Sequence, residues 1–133
     1  MNDEPLETAL QAAANAADES AKADLLDALN TDEDDSVAFA GIKGLMGRAC
    51  YLPAAGPVMF HILARSTSYR DAIERNILAG GDSAGRSIMI GAIMACIHGV
   101  ATKTGVPLSW VLELEEGDEV WRDCKALSRG PIV

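Results

Sequence analysis

Apolar positions along the chain recur at helical spacing, and no stretch alternates as a strand would. Leu6, Leu10, Ala13, Ala17 and Ala21 step toward Leu25, Leu26 and Leu29, with Asp3, Glu4 and Pro5 ahead of them. This predicts one long helix whose stripe is narrow and mostly alanine, marginal alone and dependent on a packing surface. The polar run 31–36, TDEDDS, predicts a charged, solvated loop, because its adjacent carboxylates repel and lack the alternating spacing of a calcium loop. Gly41, Gly44 and Gly47 then recur at three-residue steps, which fits either a short helix or a turn under close backbone contact.

Leu52 and Pro53 open the next helix, and the run to Ala64 is apolar nearly all round. Pro57 lacks the N–H a helix interior needs, so it is expected to delay regular helix. His61, alone in that run, reads as a hydrogen-bonded core residue. Ser68 is placed to cap a helix through Tyr69, Ala72, Ile73 and Ile77, with Asp71 in its first turn and Gly80 and Gly81 at its end. A further helix starts at Asp82 or Ser83 and is expected to reach about Lys103, before Gly105 and Pro107. Within it Gly91, Ala95 and Gly99 form a groove of small side chains suited to a close helix neighbour. Pro107 opens a short helix through Trp110 and Leu112, and Asp118 to Leu127 predicts a last one. The pattern as a whole predicts an all-α, compact bundle of five to six helices, with residues 1–133 as a single helical domain.

Composition narrows the function. Aromatic residues are 5% of the chain, so the interior must be filled by small and aliphatic side chains. The net charge of −9 is concentrated: residues 1–35 hold eleven acidic side chains against Lys22, whereas 36–110 is net basic. No strongly basic face remains, which excludes nucleic acid as main partner and leaves a small anion near the middle of the chain. Ile88 to Ala101 is too short to span a bilayer and contains Gly91, His98 and Gly99, so it reads as a buried core helix without membrane association. Cys50, Cys96 and Cys124 suit neither a disulfide framework nor a zinc ribbon, and the N-terminus lacks a secretory pattern. Reduced, buried thiols in a cytoplasmic protein follow as the expectation.

Chemistry gathers at residues 76–99, where a helix end meets a helix start through Gly80, Gly81, Asp82 and Ser83. Glycines admit close approach, and a helix N-terminus offers unpaired N–H groups to an anion. A carboxylate there either caps the helix or, with further oxygens, holds a hard cation. Arg86, four residues after Asp82, either pairs with it along the helix or meets a ligand phosphate.

LAGGDSAGRSIMIGAIMACIHG, residues 78–99, resembles the C-terminal signature of the ADP-ribosylglycohydrolase family. Upstream, RACYLPAAGPVMFHILARSTSYRDAIERNILAGGD is similar to the stretch leading into that signature, and GVPLSW downstream is similar to its Ile-Pro-x-x-Trp segment. The resemblance spans residues 36–112 and covers a C-terminal portion of the family's fold, with 1–35 an acidic helix and loop, so the chain reads as a fragment of it. It implies an all-α fold and metal-assisted hydrolysis of an ADP-ribosyl linkage, with Mg2+ or Mn2+ as cofactor and ADP-ribose or an ADP-ribosylated substrate as partner. Asp82 matches the first metal-binding Asp of the Gly-Gly-Asp-Thr-Asp-Thr pattern, and Gly80, Gly81, Ser83 and Arg86 would border the ligand. Ser83 stands for Thr, while Ala84 and Gly85 replace the second Asp and its Thr neighbour. The catalytic residues are therefore not assigned. The alternatives are a non-catalytic ADP-ribose-binding or protein-interaction module, or a subunit completed by a partner chain or a second copy.

Overall fold

The computed structural model describes residues 6–42 and 50–128. The first predicted helix is two: α1 (Leu6–Ala16) and α2 (Glu19–Asn30). Asp18 breaks the run with ψ 147°, and its carbonyl accepts the first bonds of α2 from the Ala21 and Lys22 amides. One straight helix of that length would extend about 36 Å and carry its two ends apart. Folding back lets Leu10 and Ala14 of α1 and Ala28 of α2 enter the same core, which a narrow alanine stripe requires.

After the acidic loop comes α3 (Ser36–Ile42), started by the Asp35 carboxylate, which accepts from the Val37 amide at 2.8 Å. Gly41 has open space around it, so no close backbone contact explains it; Gly44 and Gly47 lie outside the described residues. The loop is not merely solvated. Its carboxylates at Asp32, Asp34 and Asp35 are exposed, but its backbone is tied down by Arg65 to the Ala28 and Thr31 carbonyls and by Arg75 to that of Asp34.

The helix α4 (Leu52–Arg65) begins where Leu52 and Pro53 predict, and Pro57 does not delay it. The bond that Pro57 forgoes is to the carbonyl of Pro53, in the first turn at an exposed residue, where a missing partner is least costly. Val58, Ile62 and Leu63 are fully buried, each contributing about 1.5–3 kcal/mol of transfer free energy. His61 is buried among them: its Nε2 donates to the Glu33 carbonyl at 2.7 Å, Ser36 Oγ donates to Nδ1 at 3.2 Å, and its ring stacks on Phe39. The expected core histidine is thus the peg that fixes the acidic loop.

The chain continues through α5 (Tyr69–Ala79), α6 (Ser83–His98), α7 (Leu108–Leu112) and α8 (Gly117–Ser128). Eight helices stand among the described residues in place of five to six, with no strand and one isolated bridge between Val100 and Val106. Because Gly99 takes φ 74° and caps α6, the helix stops at His98 rather than near Lys103. A tight loop closes there through Val106 N–H to the Gly99 carbonyl.

Helices α1 to α6 share one apolar cluster, while α8 packs chiefly against α7. The small-residue face of α6 lies against α5 at Gly91, where a Cβ would lie 3.2 Å from the Tyr69 hydroxyl. Only one side of α6 is covered. Ile90 and Met94 are fully buried, but Ile88 is 73% exposed and Met89 51%, which corrects the expected buried core helix. All three cysteines are free and exposed rather than buried. None of the described helices is long and apolar enough to cross a membrane.

Candidate functional site

Helices α5 and α6, which meet at Gly80 and Gly81, each begin on a side-chain cap. At the far end of α5, Ser68 accepts from the Asp71 amide at 3.1 Å, as its sequence predicts. At the near end the backbone reverses through Gly80 at φ 73° and Gly81 at φ 69°, a conformation L side chains resist. A Cβ at Gly80 would meet nothing within 4 Å, so the glycine is required for its dihedral and not for close approach. Asp82 then caps α6, its Oδ1 accepting from the Gly85 amide at 3.1 Å. A Cβ on Gly85 would meet that carboxylate, which would have to shift from its present position.

Arg86 does not form the intrahelical pair with Asp82 that the spacing suggests. It is 3% exposed and turns toward α5, where Nε donates to Asn76 Oδ1 at 2.8 Å and Nη2 donates to the carbonyls of Asn76 and Gly80. Asn76, fully buried, completes the link by donating to the Ser83 carbonyl and to Ser87 Oγ, each at 2.8 Å. Burial pulls the Arg86 pKa below the usual arginine range, and the nearby Asp82 charge pushes it back up. Nη1 is buried with no hydrogen-bond partner among the described residues.

Asp82, Gly85 and Arg86 share the wall of a cavity of about 140 Å³ with Leu52, Met59 and Met89, between the starts of α4 and α6. Gly80, Gly81 and Ser83 are not in that wall: Gly81 is exposed, and Gly80 and Ser83 are half-buried in the turn beside it. A larger cavity of about 650 Å³ lies elsewhere, between α7 and α8, and gathers none of the candidate residues. Asn76 was missed by sequence reasoning, since only the folded hairpin brings it to Arg86. A polar residue on the otherwise apolar side of α5 was the one available signal.

The donor set does not fit a divalent cation. Asp82 spends one oxygen on the cap, Ala84 and Gly85 bring no side-chain oxygen, and a guanidinium shares the cavity wall. Among the described residues no group of three His, Cys, Asp or Glu side chains is gathered to hold a metal ion.

Comparison with curated proteins and with solved structures gave no match. The family model described as ADP-ribosylglycohydrolase matches residues 1–131, which brings the acidic N-terminal segment, left without a motif by the sequence, inside the matched region. With 131 of 133 residues matched and an all-α architecture around the Gly80–Arg86 junction, the chain belongs to the ADP-ribosylglycohydrolase family.

Proposed function

We propose that this chain recognises an ADP-ribosyl group at the α5–α6 junction and does not by itself hydrolyse the linkage. One observation carries the reading: the residues bearing the family signature form an ordered glycine turn with a buried cation behind it, yet the junction's one carboxylate is engaged as a helix cap. Gly80, Gly81 and Ser83 would border the ligand at the start of a sixteen-residue helix whose dipole favours an anion. The family is typically metal-dependent, and its metals supply charge and an activated water that these donors are not arranged to hold. Calorimetric titration with ADP-ribose tests the reading. Binding without release of ADP-ribose from an ADP-ribosylated protein supports it; efficient hydrolysis by the purified chain contradicts it.

The exposed face of α6 favours a second reading, in which another polypeptide or a second copy completes both the surface and the catalytic site. A helix apolar on all sides is normally covered on all sides. Under this reading hydrolysis appears only on adding that partner, and the divalent ions would be held largely by it.

A further inference from the structure

Among the described residues, Arg86 Nη1 is the one buried side-chain polar atom with no hydrogen-bond partner. The Arg86 Nε and Nη2 are used by Asn76 and Gly80, which leaves Nη1 buried and without an acceptor among the described residues. An unsatisfied donor on a buried charged group is costly, and such groups are rare in folded proteins unless something else satisfies them. Arg86 also forms part of the wall of the 140 Å³ cavity at the start of α6, where helix dipole and guanidinium act with the same sign. Asp82 shares that wall, its Oδ1 engaged by the Gly85 amide, and the rest is largely apolar, with Leu52, Ala55, Met59 and Met89.

We propose that Arg86 stands in place of the divalent cation, so that this site takes a phosphoryl group directly, through guanidinium and helix N-terminus, with no metal ion. The inference rests on the ADP-ribosyl reading above for its ligand and adds the means of recognition. A fixed guanidinium repels a divalent ion from the same cavity and at the same time provides planar N–H donors for phosphoryl oxygens. The cavity is well below the volume of a whole nucleotide site, so it accepts a phosphate-sized group while the remainder of the ligand lies outside. Asp82, held in its cap, offsets part of the effect of burial on the guanidinium.

The test titrates ADP-ribose into the intact chain in EDTA and again in magnesium, and pyrophosphate in EDTA alone. The inference expects equal ADP-ribose affinity in both buffers, and a loss of at least about tenfold for ADP-ribose and pyrophosphate in Arg86→Gln. Because Arg86 also holds Asn76 and Gly80, circular dichroism must show the variant folded. Added guanidinium ion should restore pyrophosphate binding to an Arg86→Ala variant already shown folded without it, and failure to restore it counts against the inference. If neither variant folds, the EDTA and magnesium arms on the unaltered chain still decide. ADP-ribose binding only with magnesium, or unchanged in folded Arg86→Gln, overturns the inference and keeps the ADP-ribosyl reading. Pyrophosphate binding lost in Arg86→Gln, without ADP-ribose binding, does the reverse, and binding of neither ligand overturns both.

Discussion

A carboxylate just before a helix has two uses, cap or metal ligand, and at Asp82 the neighbouring residue selects between them. Gly85 lets the carboxylate lie close over its own amide, and a side chain at 85 would make the carboxylate shift from its present position. Asp82→Ala should therefore lower stability by about 1 kcal/mol in urea unfolding, by the same amount with and without magnesium. His61 makes a second residue-level prediction. Burial first, and then the charges of Arg65 and Arg75, hold its pKa below the ordinary histidine value, against the opposing effects of the Glu33 hydrogen bond and Asp34. The unfolded chain thus binds the proton more readily, and the stabilisation is complete above about pH 6.5 and lost as pH falls toward the folded-state value. Urea midpoints measured between pH 7.5 and 5.5 should fall for the natural chain and fall less for His61→Gln. The caps at Ser68 and Asp82 were legible in the sequence because a cap needs only residues three positions apart. The partners of His61 were not, since Glu33 and Ser36 lie about a helix pair away along the chain.

At the scale of elements, the α5–α6 hairpin is held by polar groups at its turn and by close packing at its other end. Asn76→Leu keeps approximate volume but strands the Arg86 Nε and the Ser83 carbonyl, and a loss of about 3 kcal/mol or more is expected in thermal or urea unfolding. Gly91→Val should cost about 1–3 kcal/mol by forcing Tyr69 away, and the double change with Tyr69→Phe should recover part of it. Helix starts at Leu52, Ser68 and Pro107 could be read directly, because proline and capping side chains act within one turn. The split between α1 and α2 could not. It depends on where the core lies, and a periodic alanine stripe looks alike whether the helix continues or doubles back.

For the whole molecule, charge and apolar surface are segregated. The acidic loop is anchored through its backbone to His61 and Arg65 of α4 and Arg75 of α5, leaving the carboxylates of Asp32, Asp34 and Asp35 exposed. On α6, Ile88, Met89 and Ile97 stay exposed, more apolar surface than a lone helix face usually shows to water. Ile88→Glu should leave stability within about 0.5 kcal/mol yet reduce self-association in sedimentation; equal sedimentation of both proteins would mean the face is not adhesive. The all-α class and the junction at residues 80–86 were legible because short-range signals coincide there. What covers α6, and which atoms Arg86 reaches, are set by packing between segments that no local pattern encodes. The decisive measurement is a 15N–1H correlation spectrum of the chain titrated with ADP-ribose in EDTA. Saturable shifts centred on the amides of Gly80, Gly81, Ser83 and Arg86 are expected, and a spectrum unchanged at millimolar ligand would contradict a binding role for this junction.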